Sequence, residues 1–303
     1  MSKPKLPTAI TIVEMGARDG LQNEQTVSTN TKIELINRLS KTGLNHIEAG
    51  AFVSAKWVPQ MADSEQVLKG ITRQSGLIYS ALTPNLQGFE KALASNVNQI
   101  AIFTSASESF CKKNINCSIS QSIERFVPVI EQARERNIPV RGYLSCIVDC
   151  PYEGETSNAQ VAAVAKELLD LGCYEISLGD TIGTGTPLRI ARMLEHVEKK
   201  MEFDKVAVHF HDTWGQALAN IYQAITMGIS TIDSSVGGLG GCPYAKGASG
   251  NVATEDVLYL CQGLGIHTGI DLKEIVKTAW FINQQLNRQP SSKVALAMRP
   301  DKL

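Results

Sequence analysis

The sequence predicts a (β/α)8 TIM barrel with a carboxyl-terminal helical extension, the whole of residues 1–303 forming one domain. Three observations predict it. Short β-branched or apolar runs alternate with helical stretches along the chain, eight such runs can be counted, and no linker rich in Pro, Gly or Ser divides them. The barrel is expected over about residues 8–265 and the extension over about residues 266–303.

The first strand is expected at residues 8–15. A helix at 31–41 stops before Gly43, where the second strand, 46–52, is about to begin. Strands at 77–81 and 99–103 follow, and a helix at 120–136 leads to the fifth strand at 139–145. Ser157 introduces a helix at 159–171 that ends before Gly172, just ahead of the sixth strand at 174–178. The helix at 187–199 precedes the seventh strand, 206–210. The helix at 216–227 runs up to Gly228, and the eighth strand is expected at 231–235. The extension is centred on a helix at 272–286. A doubly wound two-domain fold is the alternative, but the chain lacks an early Gly-x-Gly-x-x-Gly turn.

With 43% hydrophobic residues the chain can bury a sizeable core. Lys plus Arg (29) nearly balance Asp plus Glu (30), so no global field recruits nucleic acid or an anionic membrane. No stretch approaches the length of a membrane span. The seven scattered cysteines form no zinc-type pair, which favours a reducing compartment. The start, from Met1 to Pro4, has no apolar signal core, so a cytoplasmic location is expected. The end, Asp301-Lys302-Leu303, matches a peroxisomal address only loosely.

Barrel active sites are built at the carboxyl ends of the strands, and the notable residues fall there. Arg18, Asp19 and Gln22 follow the first strand, Ser145 and Cys146 close the fifth, and Asp180 and Thr181 follow the sixth. His209 and His211 close the seventh strand two residues apart, so both imidazoles share one face. Asp19 offers a carboxylate and Asn251 an amide oxygen. Mixed oxygen and nitrogen ligation without thiolate suits a divalent Mg- or Mn-type ion. Taken singly, Asn251 also fits a cap for a helix starting near Thr254, and Asp19 a turn residue before Gly20.

Arg18 can neutralise oxygen charge developing on a substrate. Glu48, on the second strand among apolar residues, needs a partner; it either orients Arg18 or shuttles a proton. The loop 237–251 holds six glycines, which makes it costly to order unless it approaches or closes over a ligand. Cys242 lies in it, either as a general acid or base or as a small apolar side chain. Cys146 is left open, and the remaining cysteines are read as core residues.

Several stretches strongly resemble 3-hydroxy-3-methylglutaryl-CoA lyases. They are Val13-Glu-Met-Gly-Ala-Arg18-Asp19-Gly-Leu-Gln-Asn-Glu24, Phe52-Val-Ser-Ala-Lys-Trp-Val-Pro-Gln-Met61, Lys112-Lys-Asn-Ile-Asn-Cys-Ser118, Ser177-Leu-Gly-Asp-Thr-Ile-Gly183, His209-Phe-His-Asp212 and the loop 237–251. The Arg-Asp, Asp-Thr-Ile-Gly and His-x-His motifs are shared with condensing enzymes and an aldolase of the same superfamily, whereas the cysteine loop points to the lyase. The resemblance implies metal ligation by Asp19, His209, His211 and Asn251, and catalysis by Arg18, Glu48, Cys242 and His209. It implies cleavage of 3-hydroxy-3-methylglutaryl-CoA to acetoacetate and acetyl-CoA, as in leucine degradation, by a homo-oligomer, in the first instance a dimer. Gln22, Tyr143, Ser177 and Thr181 are candidate contacts to the acyl-CoA substrate, with Lys246, Asn287 and Lys293 candidates for its CoA tail. A metal-dependent hydrolase is the rival of a different class. Hydrolase barrels carry His-x-His on the first strand with further histidines, whereas here only His46, His196 and His267 remain.

Overall fold

A computed structural model describes residues 6–242 and 245–301, and the side chains of 242–249 lie outside that description. Eight parallel strands close into the expected barrel: β1 (Thr11–Glu14), β2 (His46–Ala51), β3 (Ile78–Leu82), β4 (Gln99–Ser105), β5 (Val140–Ser145), β6 (Glu175–Asp180), β7 (Val206–Phe210) and β8 (Thr231–Ser234). Each pairs with its neighbours in chain order. The ring closes where β1 meets β8 at Thr11 and Thr231 and meets β2 at Val13 and His46. Strands buried on both faces need near-continuous apolar sequence, and β2 has no exposed position at all.

Helices fill the crossovers, and side-chain caps set many of their starts. The Ser28 side chain accepts from Thr31 N–H ahead of the helix Thr29–Leu39, so this helix begins earlier than its apolar period alone suggests. Ser118 and Gln121 cap each other reciprocally at the start of Ile119–Glu135. In the extension, Asp271 caps Leu272–Gln285, and a short helix, Lys293–Ala297, follows. Among the described residues no helix is long and apolar enough to cross a membrane.

Three expectations change. The first strand starts at Thr11 because Ala9 and Ile10 pair with His267 instead, sealing the barrel floor against the start of the extension. The sixth strand runs on to Asp180, which pairs with Phe210, so Asp180 ends a strand rather than following one. The glycine-rich stretch is not wholly irregular. A tight turn at Val236–Gly238 leads to an antiparallel ribbon of Gly241–Cys242 with Ala245–Ser249. Gly237, Gly238 and Gly240 take φ of 67°, 64° and 112°, values that carry the chain through this corner and that side-chain-bearing residues rarely adopt.

The barrel interior holds a charged layer beneath its mouth. Arg141 on β5, buried, donates from Nε to Glu175 (2.7 Å) and from both terminal nitrogens to Asp233 on β8 (3.0 and 2.8 Å). Filling the guanidinium in this way offsets the cost of taking its charge out of water. On β2, His46 Nε2 lies 2.8 Å from Ser80 Oγ. Burial, reinforced by the Arg141 charge, pulls its pKa down from 6.5 to about 3.

That depression makes His46 an acid-sensitive element. Its folded pKa lies below its unfolded one, so as pH falls through 6.5 the unfolded chain takes up the proton first. The fold should then lose about 1.4 kcal/mol per pH unit until the pH approaches the folded value. His46→Gln retains a hydrogen-bonding nitrogen but cannot charge. Between pH 6.5 and 5, urea denaturation should show the variant losing about 2 kcal/mol less stability than the wild type. Equal losses would mean that His46 is not held neutral.

Candidate active site

The first site residues are set by an unusual turn. Directly after β1, Gly16–Gly20 winds as a π-helical turn in which Gly20 N–H bonds to Met15 O (3.0 Å). Such turns widen the backbone and are frequent at functional sites. Both end glycines are needed for space: a Cβ on Gly16 would come within 2.6 Å of Glu14 Oε1, and one on Gly20 within 2.6 Å of Ser235 Oγ. The turn presents Arg18 and Asp19 together at the barrel mouth.

Arg18 is buried and bound on two sides. Its Nε donates to Glu48 Oε2 and its Nη1 to Asp19 Oδ1 (2.5 Å). Burial disfavours the guanidinium charge, but Glu48 and Asp19 outweigh it and hold Arg18 protonated. Glu48 is thus an orienting partner of Arg18. Its second oxygen accepts from Tyr143 Oη (3.1 Å), whose ring lies 5.4 Å from the Arg18 guanidinium. For Asp19 burial works toward a higher pKa, but Arg18, then His209 and His211, carry it well below the usual carboxylate range.

His209 and His211 project into the same space, with their Nε2 atoms 3.4 Å apart. His209 Nδ1 lies 3.2 Å from Asp233 Oδ2, an acceptor only, so Nδ1 donates, and Nε2 faces Asp19 Oδ2 3.8 Å away. One oxygen of Asp19 and one nitrogen of each histidine lie within 4.8 Å of one another, a set able to hold a metal ion. His211 is kept neutral by burial and by its histidine neighbour, its pKa lowered to about 4, as a nitrogen ligand requires.

Asn251 is pinned beside this group by backbone. It forms a bridge with His211, and its Nδ2 donates to Asp19 Oδ2 (2.8 Å) and toward Leu239 O (3.3 Å). A half-turn of the amide exchanges nitrogen for oxygen at that position. The capping alternative for Asn251 does not hold, since Ala253 is the cap residue of Thr254–Gly263.

A cavity of about 350 Å³ opens over these groups. Arg18, Asp19, Gln22, Tyr143, Ser177, Thr181, His209 and His211 all line it, and Val53, Leu82, Phe103, Phe110 and Ile115 form an apolar wall. Besides Tyr143, which is bonded to Glu48 and Arg141, two more candidate substrate contacts are already engaged. Ser177 Oγ donates to Asp233 Oδ2 (2.8 Å), and Thr181 Oγ1 accepts from Cys146 N–H (2.8 Å). Asn287 and Lys293 are not among the lining residues. Asn287 follows the helix Leu272–Gln285 in a left-handed conformation, and Lys293 opens the last helix with its N–H toward Asp256 (3.3 Å). The side chains of Cys242 and Lys246 lie outside the described residues. Cys146 is fully buried against Phe110 and Cys150 behind the cavity lining, and burial pushes its thiol pKa up to about 12, so it is core.

Sequence reasoning missed Asp233 and Arg141. Asp233 accepts from Arg141 and Ser177 and fixes the His209 ring, and Arg141 also donates to Tyr143 Oη (3.3 Å). The signal was present: each is a lone charge inside an apolar strand, the criterion that singles out Glu48.

A family model described as HMGL-like matches residues 9–282. The chain belongs to the HMGL-like family. It is 57% identical over 297 residues to "3-hydroxy-3-methylglutaryl-CoA lyase, cytoplasmic" of Danio rerio, covering 98% of this chain and 89% of that protein. It is also 57% identical over 293 residues to "Hydroxymethylglutaryl-CoA lyase, mitochondrial" of Homo sapiens, covering 96% and 90%. Among solved members of the HMGL-like fold, hydroxymethylglutaryl-CoA lyase from Pseudomonas aeruginosa superposes with a TM-score of 0.95 at 54% identity, over 97% of this chain and 98% of that one. An HMG-CoA lyase from Acinetobacter baumannii in complex with coenzyme A and 3-methylmalate gives a TM-score of 0.91 at 37% identity, over 98% and 97%.

Proposed function

We propose that this chain cleaves 3-hydroxy-3-methylglutaryl-CoA to acetoacetate and acetyl-CoA, with Mg or Mn as cofactor. The observation that carries the reading is one cavity in which Asp19, His209 and His211 cluster beside a buried arginine, in a chain 57% identical to lyases of that name. The lyase names of these relatives do not favour the condensing, aldolase or hydrolase alternatives. The acyl-CoA substrate class is supported by coenzyme A in the Acinetobacter structure.

The ligand set would be Asp19, His209, His211 and Asn251. Its hard oxygen and neutral imidazole donors fit Mg or Mn better than a thiolate-seeking ion. When bound, such an ion supplies Lewis acidity that eases loss of the C3 hydroxyl proton. The proton acceptor is Asp19, His209 or a bound water, the first two having their nearest side-chain atoms 3.8 Å apart. Glu48 and Asp19 aim Arg18 at the cavity, where its charge meets the oxygen of the thioester enolate left as the C–C bond breaks. Cys242 then donates the proton that turns the enolate carbon into the acetyl methyl group. Gln22, Tyr143, Ser177 and Thr181 would contact the bound acid, and the apolar wall excludes water. Barrel and extension serve this site as one catalytic domain. A cytoplasmic setting agrees with six free cysteines among the described residues.

Purified protein supplied with the acyl-CoA and Mg or Mn should release acetoacetate, and chelation should lower the rate by about 100-fold or more, restored on adding the metal back. A metal-replete enzyme that releases no acetoacetate overturns the assignment.

A further inference from the structure

We propose that Glu24 is a positioning residue that, braced by Arg288 of the carboxyl-terminal extension, fixes the foot of the ribbon carrying Cys242. The inference rests on the thiol role given to Cys242 above. Glu24 Oε1 accepts two hydrogen bonds, from Gly240 N–H (3.0 Å) and from Arg288 Nη2 (2.6 Å). The Glu24 side chain is only 10% exposed, so its carboxylate is largely shielded although Arg288 reaches it from a side chain 39% exposed. Hydrogen bonds to a carboxylate are stronger than neutral ones, and here one oxygen joins a backbone amide to a guanidinium.

What Glu24 holds is the rung from which the ribbon departs. Gly240 O accepts from Gly250 N–H (2.9 Å), and Gly250 O accepts from Asp212 N–H (2.6 Å) next to His211. Gly240 stands two residues before Cys242, and Gly250 immediately precedes Asn251. This backbone pair sets where the thiol segment leaves the barrel, while Asn251 is held separately by its bridge to His211 and its bonds to Asp19 and Leu239. The packing is tight: a Cβ on Gly240 would lie 2.9 Å from Asn251 Nδ2.

The two arms of the brace are themselves fixed. Glu24 lies five residues after Asp19, and its carbonyl accepts from Gln60 Nε2 (3.0 Å). Arg288 Nε donates to Asn283 Oδ1 (2.9 Å) on the preceding helix. The other carboxylates at this corner act lower down, with Glu14 holding Val236 N–H and Glu255 holding Gly237 N–H. Ser291 Oγ also grips Gly237 O and Gly238 O (3.2 Å each). Loss of Glu24 should therefore leave the corner folded and release the chain from Gly240 onward.

The test compares Glu24→Ala with Glu24→Gln, whose carbonyl still accepts from Gly240. For Glu24→Ala, kcat should fall about 10- to 100-fold with KM and Mn affinity within about twofold, the signature of a misplaced group rather than a lost binding contact. Glu24→Gln should recover most of it. In a Cys242→Ser background, Glu24→Ala should change the residual turnover less than about twofold, because the group it positions is gone. Independently of turnover, iodoacetamide alkylation of Cys242, read on its peptide by mass spectrometry, should be at least about threefold faster in Glu24→Ala and near wild type in Glu24→Gln. An unchanged alkylation rate, or an equal kcat loss with and without Cys242, overturns the role of Glu24. Wild-type enzyme that releases no acetoacetate instead overturns the lyase reading and leaves the alkylation comparison to decide Glu24.

Discussion

Replacing Arg18 with Gln is expected to lower kcat by about 1000-fold. Removing one neutral donor aimed at a developing oxyanion costs about 100- to 1000-fold, and a charged donor is about twice as strong, which places Arg18 at the upper end. The side chain is 6% exposed and held by Glu48 and Asp19, so its charge acts where water screens little. Because the oxygen charge grows only as the bond breaks, KM should change little. Arg18→Lys keeps the charge but loses the fork that grips both carboxylates, so it should recover only part of the rate. The substitution also leaves Glu48 buried with Tyr143 as its remaining partner, which should cost about 3 kcal/mol of stability. Steady-state kinetics with parallel urea denaturation separate the two effects. A kcat within tenfold of wild type would remove Arg18 from the chemistry.

Cys242→Ser is the second large effect. A serine hydroxyl is a far weaker acid than a thiol, and loss of a positioned general acid costs about 100- to 10,000-fold in kcat. Metal binding should survive, because the clustered ligand atoms belong to Asp19, His209 and His211. Manganese titration followed by electron paramagnetic resonance, set beside turnover, tests both halves. Unchanged turnover would mean that Cys242 is not the proton donor; lost manganese binding would mean that the substitution disturbs the metal site itself.

Much of this site was legible because the rules that place it are local. The two-residue spacing of His209 and His211 puts them on one face wherever their strand lies, and a barrel strand's carboxyl end is where substrate is met. Glu48 was legible as a charge in an apolar run that had to find a partner, and the structure supplies Arg18. Asp233 and Arg141 obey the same logic but look alone in sequence: their partners lie 92 residues apart, brought together only by the closure of the barrel. Asn287 and Lys293 lie off the cavity lining for the complementary reason. Their side chains suit phosphate, but nothing local says which way the extension turns its surface.

By itself the sequence determined the barrel class, the order of the strands and the side chains that gather at its mouth, since periodicity, capping and strand-end placement depend on near neighbours along the chain. Only the tertiary structure decided the π-helical turn that aims Arg18 and Asp19, the Asp233 carboxylate behind His209, and the Glu24–Arg288 brace under the ribbon. The last two join groups that sequence distance separates, and Glu14 ties the π-helical turn to Val236 at the far end of the chain's barrel. Their contacts follow from strand register and close packing around a shared interior, which form only when the whole ring is closed.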